Sequence, residues 1–258
     1  MNKEVRIIYD DLFLSDYITA SCEVPNRVRM IYDEFAPLYE IIKPEPCSDE
    51  DILRCHSEGL LLCEKNDPGR YEISRLAAGG AIKAAELSLE GFLPFAVIRP
   101  PGHHANPDHN WGFCFFNNMG IALMKLLSTN QINRAVVLDI DLHFGDGTDA
   151  IFKNNEAVSV YNIQSSNRDD FIKTTENTLA GAGPSDVIGI SAGFDQYIKD
   201  WGANLTTEDY ETIGEIAGAF SRKHCGGKIF IILEGGYYLP DLGVNAHSLL
   251  KGVHKALS

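Results

Sequence analysis

Residues 135–148 read AVVLDIDLHFGDGT. The first four are apolar, two of them β-branched, with no polar alternation, which is the composition of a strand covered on both faces. The character then changes at once. Asp139, Asp141, His143 and Asp146 follow within eight residues, and Gly145-Asp146-Gly147 turns the chain sharply. An apolar strand that delivers acids and a histidine at its C-terminal end is how α/β proteins place their ligand-binding groups.

Working outward, similar strand-like runs occur at 5–9, 95–98, 158–161, 187–190 and 229–233, beside the one at 135–138. Helical patterns lie between them. Ser48 with Asp51 reads as a capping pair that opens a helix through about Cys63. Residues 71–89 are rich in Ala and Leu, and 118–127 form another helix candidate. After Thr206, the spacing of Ile213, Ile216, Ala217 and Phe220 makes one apolar helix face. Alternating strands and helices predict an α/β fold with a mainly parallel sheet between helical layers. No linker composition interrupts the pattern, so residues 1–258 are expected to form one domain.

Composition excludes several classes. The net charge of −14 argues against a direct nucleic-acid grip, which needs a basic surface. It serves solubility first, and it also suits cationic substrates or products. The longest apolar run, 92–98, is too short to span a bilayer, and the charged start Met1-Asn2-Lys3-Glu4 is not a signal segment. A soluble, cytoplasmic protein is expected. Cys22, Cys47, Cys55, Cys63, Cys114 and Cys225 contain no C-x-x-C pair, so they read as ordinary thiols and not as a disulfide or zinc framework.

The unusual residues sit at four strand ends: Arg99-Pro100-Pro101-Gly102-His103-His104, Asp139 to His143, Ser191-Ala192-Gly193-Phe194-Asp195, and Glu234-Gly235-Gly236-Tyr237. These tips are expected to meet in one pocket. Asp141 and His143 alternate along an extended segment, so both reach the same side. With Asp195 they supply two carboxylates and one imidazole, a three-ligand set with room for water, as in a catalytic zinc site. Fe²⁺ or Co²⁺ suits the same ligands. Taken singly, each has a plainer reading: the acids as an acidic turn capping the helix that starts near Thr148, and Asp195 as a turn residue. Two carboxylates neutralise the ion, so a separate base is needed, and His103 or His104 suits that task. The pair reads equally as two further ligands or two core histidines. Tyr237 can donate to a developing oxyanion or simply anchor a Gly-rich turn, and Tyr238 has the same chemistry. Phe113, Phe115 and Phe116 read as core aromatics, of which one or two can wall a channel.

Together these segments resemble the histone deacetylase family, which includes acetylpolyamine amidohydrolases and acetoin-utilisation relatives. The matching stretches are RPPGHHA (99–105), GFCFFNN (112–118), VLDIDLHFGDGT (137–148), SAGFDQY (191–197) and LEGGYY (233–238), in the family's order. The resemblance implies the arginase/deacetylase fold, a three-layer α/β/α domain. It implies zinc on Asp141, His143 and Asp195, and paired histidines at His103 and His104 oriented by Asp139 and Asp146. It also implies a carbonyl-polarising Tyr237 and a substrate channel walled by Phe113 beside Gly112. A structural potassium is implied on Asp139 and Ser159 side chains with carbonyls of Asp141, His143 and Val160. The activity implied is removal of an acetyl or other acyl group from an amine, with acetyl-lysine or a small acetylated amine such as an acetylpolyamine as substrate. The contrasting expectation is a metal-binding interaction domain that keeps the fold without turnover. An oligomer is compatible with either.

The chain also departs from the family. Where many relatives carry H-P-E-x-P-x-R, it reads Cys22-Glu23-Val24-Pro25-Asn26-Arg27, and Phe144 stands where many have a second histidine. Only residues 162–185 separate two strands where the family has a long stretch bearing a second channel aromatic. The loop after Cys63 is short, and no substrate-gripping acid is assignable there. The channel is therefore expected to be open on one side unless another loop or a partner subunit fills the gap.

Overall fold

A computed structural model describes residues 3–258; Met1 and Asn2 of the charged start lie outside them. Seven strands form one sheet: β1 (Val5–Ile8), β2 (Glu40–Ile42), β3 (Leu93–Ala96), β4 (Ala135–Asp139), β5 (Val158–Asn162), β6 (Val187–Ala192) and β7 (Ile229–Leu233). Their order is β2-β1-β3-β7-β6-β4-β5, and every pairing is parallel. Every residue of β3, β7, β6 and β4 is buried, which is why these segments show no polar alternation.

The described helices are α1 (Asn26–Phe35), α2 (Asp49–Leu53), α3 (Glu58–Lys65), α4 (Pro68–Leu89), α5 (Asn118–Ser128), α6 (Asp146–Phe152), α7 (Arg168–Gly181), α8 (Thr207–His224) and α9 (Leu239–Leu257). One group packs α4 against α5 with α2 and α3 beside them, and the other packs α9 against α1 and α8, with α7 on α8. The two groups flank the sheet, giving the expected three-layer α/β/α fold. No helix among the described residues is long and apolar enough to cross a membrane.

Two sequence expectations need correction. Strand β2 was missed, because three residues at a sheet edge are too few to show a period. The helix expected from Ser48 to about Cys63 is two helices. The Ser48–Asp51 capping box forms, but the chain breaks after Leu53, and Ser57 caps α3 by accepting from the Leu60 N–H at 3.2 Å. His56 in the break is buried; its Nδ1 meets the Asn106 carbonyl at 2.9 Å, and its Nε2 accepts the Asn117 N–H at 2.9 Å. Burial lowers its pKa to about 4, so the ring stays neutral and fastens two loops.

Strands β3, β7, β6 and β4 are adjacent. The four polar tips therefore leave the same end of four neighbouring strands, and this places the site.

Candidate active site

The acids at the ends of β4 and β6 are held by backbone donors from the adjoining tips. Asp141 accepts from the His143 N–H through Oδ1 at 2.9 Å and from the Gly235 N–H through Oδ2 at 2.8 Å. Asp195 accepts from the Leu142 N–H through Oδ1 at 2.9 Å. Ligand atoms of Asp141, His143 and Asp195 lie within 4.8 Å of one another. Asp195 Oδ2 lies 3.1 Å from His143 Nδ1, yet it makes no aligned hydrogen bond and is buried. A buried carboxylate oxygen without a partner is costly, and a cation at this point would satisfy it. Glycines let the acids come this close: a Cβ on Gly193 would collide with Asp141 Oδ2, and one on Gly235 would lie 2.5 Å from the same atom. The donor set thus fits a divalent ion that takes oxygen and imidazole ligands.

Burial, then the Asp141 charge, pushes the Asp195 carboxyl upward. The hydrogen bond to Asp141, then the nearby Asp195 carboxylate, raise His143 to about 10. A cation bound by this cluster would therefore displace protons from it.

His103 Nδ1 meets Asp139 Oδ2 at 3.0 Å, and His104 Nδ1 meets Asp146 Oδ1 at 2.7 Å. Each acid fixes one ring nitrogen and leaves Nε2 free of it. The neighbours nonetheless titrate apart. Burial opposes charge on His103, but Asp141, Asp139 and Glu234 outweigh it and raise its pKa well above the usual value. Burial, followed by the His103 charge, lowers His104 to about 4. Two adjacent imidazoles with opposite proton preferences suit acid and base roles.

Tyr237 completes the group, and Tyr238 does not. Tyr237 lines the cleft with the histidines and His143, whereas the Tyr238 ring lies beside Tyr197, with centroids 6.1 Å apart. Gly112 and Phe113 both have positive φ, 60° and 69°, in a turn closed by the Cys114 N–H on the Trp111 carbonyl at 3.0 Å. That turn sets the Phe113 ring edge-on to Tyr237, with centroids 6.1 Å apart. The enclosed cleft measures about 110 Å³. A larger hollow of about 630 Å³, by Lys3, Phe92, Arg222 and Gly227, lies away from these strand tips and gathers no comparable set.

Residues 64–183 and 165–253 match the histone deacetylase domain. The chain belongs to the histone deacetylase family. It is 32% identical to a probable deacetylase of Archaeoglobus fulgidus over 76% of this chain and 69% of that one. It is 28% identical to the histone deacetylase-like amidohydrolase of Pseudomonas aeruginosa, over 92% and 78%. It is 30% identical to the acetylpolyamine amidohydrolase of Mycoplana ramosa, over 72% and 64%. A crystal structure of the HDA15 HD domain shares the fold, with a TM-score of 0.87 at 23% identity over 99% of this chain and 90% of that one. Membership of this family of deacetylases and amidohydrolases makes the chain a hydrolase.

The potassium set expected from the family resemblance is not assembled as written. Strand register places Ser159 opposite Val136, three residues short of Asp139, and Ser159 is exposed. Three strand residues span about 10 Å, too far for one ion to bridge. Asn162 stands level with Asp139 instead, and its Oδ1 accepts the Gly145 N–H at 2.8 Å. Ser159 and Val160 are therefore separated from Asp139, Asp141 and His143.

Several residues around the site were given no role by the sequence. Glu234 Oε2 accepts the N–H groups of Gly102 and His103 at 2.7 and 3.1 Å, tying the end of β7 to the histidine loop. Burial raises its pKa to about 7. In the second group of potential ligands, His103, Cys114 and Glu234, each residue thus already has a partner: Glu234 through these bonds, His103 Nδ1 through Asp139, and Cys114 Sγ by donating to the Gly112 carbonyl at 3.4 Å. Beneath Tyr237, the fully buried Arg27 donates to the Gly236 carbonyl at 2.6 Å and pairs with Glu23 at 2.9 Å, so the departing N-terminal motif still reaches the site. Arg99 also pairs with Glu23, at 2.9 Å. Two tryptophans stand at the rim. Trp111 lies over His104, with ring centroids 4.0 Å apart, and donates to Asp146 at 3.0 Å. Trp201 lies 4.1 Å from Tyr237, centroid to centroid. Its indole lines the cleft on the Tyr237 side, carried by the loop after β6.

Proposed function

We propose that this protein is a zinc-dependent deacylase that hydrolyses an N-acetyl amide to acetate and a free amine, on acetyl-lysine or a small acetylated amine. The reading rests on the convergence of Asp141, His143 and Asp195 with the carboxylate-anchored histidines and Tyr237 around one small cleft. In this reading Asp141, His143 and Asp195 hold the ion. Zn²⁺, or Fe²⁺ or Co²⁺ in its place, supplies a Lewis acid that polarises the amide carbonyl and makes water more acidic. Phe113 and Gly112 flank the acyl chain. Tyr237 donates its hydroxyl hydrogen to the carbonyl oxygen, where negative charge develops. One imidazole of the His103–His104 pair removes a proton from the attacking water, and a protonated imidazole delivers one to the departing nitrogen. The C–N bond breaks, and water supplies the oxygen of the carboxylate and the hydrogen of the amine. Asp139 and Asp146 hold the rings in the required orientation.

The narrow, aromatic-walled cleft favours a short acyl group. One methylene in an apolar pocket changes selectivity by about 1–3 kcal/mol, so propionyl substrates should trail acetyl by a measurable factor. The acidic molecule favours substrates that carry positive charge elsewhere, such as acetylpolyamines. The deciding experiment measures zinc content and turnover on a panel of acetyl-lysine peptides and acetylpolyamines, for the parent and for Asp195→Ala. The variant should lose most of its zinc and nearly all activity while keeping its circular dichroism. Full zinc occupancy in Asp195→Ala would remove that residue from the ligand set. A zinc-loaded parent that releases acetate from no member of the panel would favour a non-catalytic metal-binding domain.

A further inference from the structure

Asp195 begins a loop that continues to Asp200 and Trp201. The Gly202 N–H returns to the Asp195 carbonyl at 2.7 Å, and the Asp200 N–H bonds the Tyr197 carbonyl at 2.8 Å. The loop is thus closed on itself, and Asp200 and Trp201 are fixed relative to Asp195. Both reach across to the neighbouring tip. Asp200 Oδ2 accepts the N–H groups of Tyr237 and Tyr238 at 2.6 and 2.8 Å. The Trp201 indole stacks on the Tyr237 ring, 4.1 Å between centroids and 16° between planes.

Tyr237 has need of such support. It follows Gly235-Gly236, and Gly236 has φ +121°, so the chain before it has little stiffness of its own. A tyrosine that acts on a developing charge must be held close to one place, because a misplacement of about 1 Å can lower the rate on the order of a hundredfold. A plainer role for Asp200 also exists. Tyr238 precedes α9 and has no side-chain cap, so Asp200 also serves as an acceptor at that helix start. Trp201, half exposed, has no part in capping, yet it bears on the same ring.

We propose that Asp200 and Trp201 are positioning residues that clamp Tyr237, one through its backbone and the other through its ring, and so couple the tyrosine to the loop bearing Asp195. The clamp rests on the reading of Tyr237 as the carbonyl donor.

The test is a double-mutant series. Asp200→Ala, Trp201→Ala and Trp201→Phe are each made in the parent and in Tyr237→Phe, with kcat, KM, zinc content and melting temperature measured on one acetylated amine. In the parent background, Asp200→Ala and Trp201→Ala should lower kcat about 10- to 100-fold with zinc retained. Asp200→Ala should leave KM within about threefold. Trp201→Phe keeps a stacking ring and should retain most of the rate. In the Tyr237→Phe background the same changes should alter kcat by less than about twofold, because the hydroxyl they position is gone. Equal losses in both backgrounds would overturn the clamp and leave a purely structural or capping role. Normal kcat in Asp200→Ala and Trp201→Ala, beside a defective Tyr237→Phe, would overturn it while leaving the role of the tyrosine intact. Near-normal turnover in Tyr237→Phe alone would remove both. Should Asp200→Ala fail to fold, Asp200→Asn, which keeps an acceptor but loses the charge, carries the same comparison.

Discussion

Tyr237 and Tyr238 are the same side chain one position apart, and their surroundings separate them. Tyr237 lies between the Trp201 indole, the edge of Phe113 and the Arg27 guanidinium, 4.7 Å from its ring centroid. Burial drives its hydroxyl pKa upward, so it stays protonated and able to donate. Tyr237→Phe should lower kcat roughly 10²- to 10³-fold while KM changes little, since the donor acts chiefly on charge that appears in the transition state. Tyr238→Phe should leave kcat within about twofold by the same reasoning. Steady-state kinetics on one acetylated amine compares the two, and a larger fall for Tyr238→Phe would reverse the assignment.

At the scale of elements, the closest helix packing is between α8 and α9. A Cβ on Gly252 would strike the Glu211 carbonyl, one on Gly214 the Leu249 carbonyl, and one on Gly218 would lie 2.8 Å from the Val253 carbonyl. Gly252→Ala gains roughly 1 kcal/mol in helix propensity. The obstacle is backbone that cannot rotate away, so overpacking at about 1–3 kcal/mol should prevail. A lower urea midpoint with unchanged kcat is expected, and a higher midpoint would show that the helices can part at little cost. Elements differed in how plainly the sequence announced them. Strands β4, β6 and β7 were legible as mainly apolar runs with an acid at or just beyond the end. Helix α7 was not, because only Phe171, Thr175 and Leu179 are buried in it. Helix α1 was obscured by Arg27, a charged residue on its buried face. The site divides in the same way. Asp141, His143 and Asp195 stand out because polar groups at apolar strand ends are conspicuous. Asp200, Trp201 and Arg27 resemble ordinary loop and helix residues until the chain is folded, since the groups they meet at the Gly236–Tyr237 tip lie 36 to 209 positions away in sequence. The potassium assignment failed on strand register, which sequence spacing alone did not fix.

At the scale of the whole molecule, the proposed metal site would set protons and metal in competition for the same folded state. The folded pKa of His143, about 10, exceeds its usual 6.5, so its stabilising effect is complete below 6.5 and disappears as pH rises through 10. Asp195 and Glu234 are also raised, and their contributions likewise fade upward, for Glu234 through about 7. His104 and His56, both lowered to about 4, weaken the fold only as pH falls below 6.5. Ion-free protein should therefore melt at a lower temperature at about pH 9 than at about pH 6.5. The rise in melting temperature on adding Zn²⁺ should grow over the same interval, because the ion replaces protons that are by then weakly held. Calorimetry with and without Zn²⁺ at both pH values measures this, and a zinc effect that shrinks toward high pH would contradict the shared site.

The sequence contains two tryptophans, and both stand at the cleft, Trp111 over His104 and Trp201 on Tyr237. The interior of the protein is therefore dark in tryptophan fluorescence, and all of that emission comes from the rim. A melt followed by this light reports the loosening of the rim, while far-ultraviolet dichroism reports the helices and sheet. If the rim loosens before the sheet, the two curves will separate along the temperature axis. The molecule thus carries a built-in optical probe of its own entrance, readable without any attached dye.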